Sequence, residues 1–142
     1  MEPTEFLKTA ELLKAQAEQA HLRTSIGRSY YAALLYFRER LRQIGLEKTK
    51  QPGQHAHAFV ILCLQFSEVT EGVKASQYLH DLQQVREDVD YRLEKTFLQN
   101  DADDAFSKAQ KVINDYERDM TTEKEKTLLE KASAFARQKC WI

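Results

Sequence analysis

Cysteine, proline and glycine are all scarce in this chain: two, two and four residues respectively among 142. Cys63 and Cys140 stand far apart and form no CxxC pair, which excludes a disulfide framework or a cysteine-rich zinc site and leaves reduced, structural thiols. So little proline and glycine excludes a low-complexity or disordered chain. No apolar run approaches the roughly 18 residues of a membrane span, and the acidic, polar N-terminus does not resemble a signal peptide. A cytoplasmic protein without a membrane partner is therefore expected. The net charge of -1 excludes a whole-molecule attraction to nucleic acid. Walker, GxGxxG, HExxH and GxSxG motifs are all missing, so no cofactor is expected.

What is present reads as helix. With 42% hydrophobic and 30% charged residues, the chain can bury a core as a soluble globular protein without metals or disulfides. The organising stretch runs from Thr24 to Gly45. There Ile26, Tyr30, Ala33, Leu34, Phe37, Leu41 and Ile44 recur at steps of four, three, one, three, four and three, the spacing of one helical face. A second strip of Tyr31, Leu35 and the Arg38 stem lets this helix touch neighbours on two sides. Gly27 and Ala32-Ala33 leave little volume on its first half; a helical glycine costs about 1 kcal/mol against alanine, so close approach by a backbone or ligand is expected there.

Around this helix the remaining elements take their places. Thr4 is read as the N-cap of a first helix with Phe6, Ala10, Leu13, Ala17 and Ala20 on its apolar face, running to about His21; the polar cluster His21 to Ser25 then breaks the phase. Gly45 ends the second helix as a left-handed cap, and Leu46 to Gly53 is a loop. The third helix, about His55 to Ser67, is apolar nearly all round and belongs in the core, with Phe59 and Leu62 central. After a turn at Val69 to Gly72, the fourth helix spans about Lys74 to Leu93, and Asp101 caps a fifth. Thr122 and Glu125 have capping-box spacing, so a sixth helix starts there or the fifth continues with a kink. Residues 1–120 are thus read as the bundle, and residues 121–142 as a helical extension packing on the bundle or a partner.

Charge is unevenly spread. Residues 23–50 carry seven basic against two acidic side chains, a net +5, and residues 81–104 carry eight acidic against three basic, a net -5. Opposed helix faces that balance within the domain or across a dimer are the favoured reading over a phosphate-binding surface. His55 and His57 place their rings on different helix faces with no third ligand, so no metal site is expected. In Val85-Arg86-Glu87-Asp88-Val89-Asp90-Tyr91, Arg86 and Asp90 stand four apart beside the apolar stripe of Leu82, Val85 and Val89. An Arg at a core margin reaches strongly for phosphate; the alternative is an intrahelical salt bridge worth only a few tenths of a kcal/mol.

The second helix, RSYYAALLYFRERLRQIG, resembles the signature of HEPN domains, which commonly reads Ser/Ala-x-x-Tyr-Tyr-Ala and ends in Leu-x-x-x-Gly. His57-Ala-Phe-Val-Ile is similar to the start of their third helix, and Arg86 to Tyr91 matches the Arg-x-x-x-Asp-Tyr form of one group of small prokaryotic members. The resemblance covers about residues 5 to 118. It implies an all-α, up-and-down bundle with the tail as an additional C-terminal helix, usually a homodimer that binds RNA or a nucleotide. It further implies a toxin–antitoxin pair with a minimal nucleotidyltransferase-type antitoxin as partner. HEPN ribonucleases cut RNA without metal through an Arg followed after four to six residues by His. Here those positions hold Tyr91, Arg92 and Leu93, and a tyrosine near its ordinary pKa of about 10 is a poor base at neutral pH.

Two functions therefore stand. In one, an RNA- or nucleotide-binding module or toxin ribonuclease, Arg86 contacts phosphate, Asp90 orients it, Tyr91 stacks or hydrogen-bonds, and Ser29, Tyr30 and Tyr31 support the site. In the other, a catalytically inactive protein-interaction subunit, Arg86 and Asp90 are structural.

Overall fold

The computed structural model describes every residue except 1, 17 and 52, and among the described residues the fold is an all-α helical bundle without strands. In chain order the helices are α1 (Thr4–Lys14), α2 (Gln19–Gln43), α3 (Ala56–Gln65), α4 (Thr70–Tyr91), α5 (Gln99–Asp119) and α6 (Thr122–Gln138). None of the described helices is long and apolar enough to cross a membrane. The chain forms two compact units, one of Met1–Tyr36 with Tyr78–Ile113 and one of Phe37–Gln77 with Asn114–Ile142, so the divisions fall inside α2, α4 and α5.

In the first unit, Leu22, Ile26, Tyr30 and Ala33 of α2 are buried, as are Leu79, Leu82 and Val89 of α4 and Ala102, Ala105 and Ala109 of α5. The Ser25 hydroxyl donates to the Ala10 carbonyl at 2.7 Å, and both residues are fully buried. Two small side chains are what let α1 and α2 come this close. The boundaries differ from those expected. Helix α1 stops at Lys14, and α2 begins at Gln19, so His21 to Ser25 is helical. Tertiary contacts decide this: the Gln19 amide donates to the Phe97 carbonyl at 2.5 Å and accepts the Phe97 N–H at 2.9 Å, which orders the first turn of α2. Ala20 is exposed on α2, and Ala17 lies outside the described residues. Thr4 is the first helical residue and not a cap; Pro3 precedes it with φ -53°, and no side chain caps the helix. Asp101 lies three residues inside its expected role: it sits in the first turn of α5, and its carboxylate accepts the Leu98 N–H at 2.7 Å, the reach-back half of a capping box.

The second unit is organised by α3 against α6. Phe59, Val60, Cys63 and Leu64 are buried on α3, whereas Leu62, expected to be equally central, is half-buried. Burial in apolar surroundings pushes the Cys63 thiol up to about 12, which fits a structural role. Leu128, Ala132 and Ala136 of α6 are fully buried, and Trp141 beyond it is 6% exposed. Trp141 lies edge-on to Phe59 and Phe135 at 5.9 Å each and stacks on His55 at 6.1 Å. Where α2 ends, the Leu46 N–H returns to the Leu41 carbonyl and the Gly45 N–H to the Arg42 carbonyl, with Gly45 at φ +99°. This is a Schellman stop at the expected glycine. The α6 cap is Thr121, one residue earlier than expected, whose hydroxyl accepts the Lys124 N–H at 3.2 Å. Glu125 instead pairs with Arg40 at 2.8 Å.

Helix α4 starts at Thr70, inside the expected turn, because Gly72 packs directly on the preceding segment. A Cβ on Gly72 would lie 2.4 Å from the Ser67 hydroxyl oxygen and 3.2 Å from the Leu64 carbonyl. That hydroxyl is itself committed, donating to the Leu64 carbonyl at 2.7 Å and accepting the Val69 N–H at 3.3 Å. Gly72→Ala should therefore lower stability by about 1–3 kcal/mol in urea unfolding. A midpoint equal to wild type would show that the joint has room the geometry denies it.

Candidate functional site

The first unit carries an open groove of about 500 Å³, lined by Ala20, Arg23, Thr24, Gly27, Arg28 and Tyr31 of α2 and by Val89 and Asp90 at the end of α4. Its origin is local. Ala20, Thr24 and Gly27 repeat at steps of four and three, so one face of α2 presents three small side chains in succession. A Cβ built on Gly27 meets no atom within 4 Å. The close backbone approach expected at this glycine is therefore not made by the protein; Gly27 instead opens the groove.

Arg23 fixes the far wall. It donates to the carbonyls of Val89 at 2.7 Å, Arg92 at 3.0 Å and Leu93 at 3.3 Å, and also to that of Lys95. Its guanidinium carbon lies 4.9 Å from the centroid of the Phe97 ring. The Val89 carbonyl belongs to the last turn of α4 and the other three to the connection that follows it, and a cation there also complements the helix dipole. Arg28 is different. It is exposed and lies 5.3 Å from the Phe6 ring, and among the described residues no acceptor or carboxylate pairs with it.

The sequence singled out Arg86, Asp90, Tyr30, Tyr31, Ser29 and Tyr91; the fold gathers the first four. Arg86 Nε lies 2.8 Å from Asp90 Oδ2, and Nη2 donates to the Tyr31 hydroxyl at 3.0 Å. The Nε–H finds no hydrogen-bond partner even so. The short distance to Asp90 is therefore that of an ion pair whose N–H is poorly aimed. The guanidinium carbon is 5.3 Å from the Tyr31 ring and 6.0 Å from the Tyr30 ring, and the two rings meet edge to face at 5.4 Å. Among the described residues nothing accepts from Arg86 Nη1. Asp90 and Tyr31, the two groups that hold this guanidinium, both line the groove.

Burial pushes the Tyr30 phenol well above its ordinary value, with Arg86 opposing the shift, so Tyr30 stays protonated and cannot serve as a base at neutral pH. Ser29 is fully buried with its hydroxyl oxygen unsatisfied, and it does not line the groove. Tyr91 is 77% exposed at the last position of α4, with no hydrogen-bond or ring partner among the described residues. The groove thus offers guanidinium donors, a carboxylate and a phenol, but no imidazole. Sequence reasoning missed Thr24, Arg23 and Arg28; the available signal was the small-residue repeat at helical spacing with an arginine beside it.

Compared with known protein families, curated proteins and solved structures, the chain matches none.

Arg23 and Arg28 are neighbours by type and opposites in use. Arg23→Ala strips the end of α4 of its charged donor and should cost about 2 kcal/mol or more, whereas Arg28→Ala should change stability by no more than about 0.5 kcal/mol. Thermal melting of both variants checks the contrast, and equal melting points would contradict the capping role.

Proposed function

We propose that this protein is a HEPN-like RNA- or nucleotide-binding module that takes phosphate in the α2–α4 groove. The reading rests on one observation: Arg86 is held in place by Asp90 and Tyr31 while its Nη1 has no acceptor. A guanidinium fixed by two of its faces and open on the third is preorganised for a phosphate oxygen, with less side-chain entropy left to lose on binding. Arg28 is the unpaired guanidinium of the groove lining itself; Arg86 is not part of that lining and is linked to it through Asp90 and Tyr31. Binding is favoured over cleavage. Tyr91, the residue standing where the resemblance would have an imidazole, is exposed without a hydrogen-bond partner among the described residues, and burial keeps Tyr30 protonated at neutral pH.

Anisotropy titration with a short labelled RNA, with AMP and ATP as competitors, tests the reading at low and high salt. Binding should weaken steeply with salt. Arg28→Ala should lower affinity about tenfold without changing the melting point, and Gly27→Leu, whose side chain enters open space, should block the groove in a folded protein. Absence of RNA and nucleotide binding by wild type at low salt would sink this reading.

The second reading, a protein-interaction subunit with a structural Arg86–Asp90 pair, is favoured by the exposed Tyr91, Leu93 and Leu98 around the end of α4, which are 77%, 82% and 63% accessible. The resemblance also carries a homodimer. Sedimentation should then give about twice the 16.6 kDa chain mass. A monomer at tens of micromolar would contradict the homodimer that the resemblance implies.

A further inference from the structure

The second unit holds a separate cavity of about 280 Å³, lined by Arg38, Arg42, Leu46, Glu47, Lys48, Gly53, Ala56 and Phe59. Its size is near the lower end of small-molecule sites, roughly 300–1,000 Å³. Leu46 and Phe59 are 2% and 3% exposed and give it an apolar base. One wall is the loop after α2, where Gly53 adopts φ +83°. That loop is fastened at a distance, because the Thr49 and Lys50 N–H groups both donate to the Trp141 carbonyl at 3.0 Å, and Trp141 also packs on Phe59.

The charges around this cavity are unequally committed. Glu39 grips Arg42 through Nε at 2.9 Å and Nη2 at 2.6 Å. The Lys48 ammonium donates to the Lys50 and Gln51 carbonyls. Among the described residues Arg38 has neither a hydrogen bond nor an ion pair, and it is exposed. Three cations face Glu47 alone in the lining, and Glu39 behind Arg42 reduces the excess to a single positive charge.

We infer that this cavity is a binding site for a small organic monoanion with an apolar body, a carboxylate whose head pairs with Arg38 and whose body lies on Leu46, Ala56 and Phe59. One uncompensated guanidinium matches one carboxylate, and a planar fork recognises it better than a point charge would. The apolar base separates such a ligand from free phosphate. Trp141, the sole tryptophan, acts as a positioning residue by holding the loop wall, and it reports on occupancy through its contact with Phe59.

The test titrates octanoate into the full chain and reads Trp141 emission and binding heat, with octanol and inorganic phosphate as controls. Saturable octanoate binding is expected, at least about tenfold tighter than either control. Arg38→Ala should weaken it about tenfold or more. Ala56→Phe, at an exposed helix-start position facing the cavity, should abolish it with circular dichroism and melting unchanged. No saturation in either signal, octanol or phosphate binding as tightly as octanoate, or wild-type affinity in Arg38→Ala would each overturn the proposal.

Discussion

The first unit depends on satisfying the carbonyl oxygens where α4 runs out. A helix end leaves its last carbonyls without intrahelical donors, and at the buried Val89 an unpaired carbonyl would be costly. Arg23 meets this need from α2, with one guanidinium serving four carbonyls between Val89 and Lys95 while resting on Phe97. Beside it, Gln19 fastens the Phe97 backbone in both directions. The connection from α4 to α5 is thereby pinned by two side chains one helical turn apart on α2, and Val89 and Asp90 become a fixed wall of the groove. The second unit solves a similar problem with the opposite group: there the Trp141 carbonyl accepts two N–H groups of the loop after α2.

This use of donors changes what the charge pattern means. Equal and opposite nets over residues 23–50 and 81–104 suggested mutual neutralisation, yet no side-chain ion pair joins the two stretches among the described residues. Arg23 is spent on carbonyls, Arg40 on Glu125 and Arg42 on Glu39. The acidic stretch finds its cations elsewhere: Asp103 with Lys14, Asp88 with Lys95 and Arg92, and Asp81 with Lys108. The Lys14 and Lys95 hydrogen bonds hold the Asp103 and Asp88 carboxyls below their ordinary range. Of the arginines in the basic stretch Arg28 and Arg38 are left over, and each lines a cavity. An exposed, unpaired arginine costs a protein little in stability, and it is the form of the charge that is available to a ligand.

Periodicity made the α2 faces, the buried α3 and the Gly45 stop readable, because each follows from local geometry that sequence spacing encodes directly. The Arg86–Asp90 pair was readable for the same reason, being one helical turn. The errors share a different cause. His21 to Ser25 is polar enough to end a helix, but Leu22 and Ser25 are buried and the Gln19–Phe97 pairing starts α2 earlier; nothing local announces a partner 78 residues away. The Tyr31 hydroxyl on Arg86 comes from 55 residues away, and the groove arises from what α2 lacks along one face. Tyr91, adjacent to Asp90 in sequence, is turned about 100° around the helix, away from the face that Asp90 shares with Arg86.

Three glycines separate these levels. Gly45 is required by backbone conformation, since φ +99° strains any residue with a Cβ. Gly72 is required by packing, since the Ser67 hydroxyl occupies the place of its Cβ. Gly27 meets neither condition: it is helical, and a Cβ there would enter open space. Alanine would hold the α2 helix better by roughly 1 kcal/mol, and among the described residues no close approach at Gly27 repays the glycine. What it changes is the depth of the groove that Arg28, Tyr31 and Asp90 line. A cost without a visible internal return, placed in the same groove lining as the unpaired Arg28, is what the proposed binding role would account for.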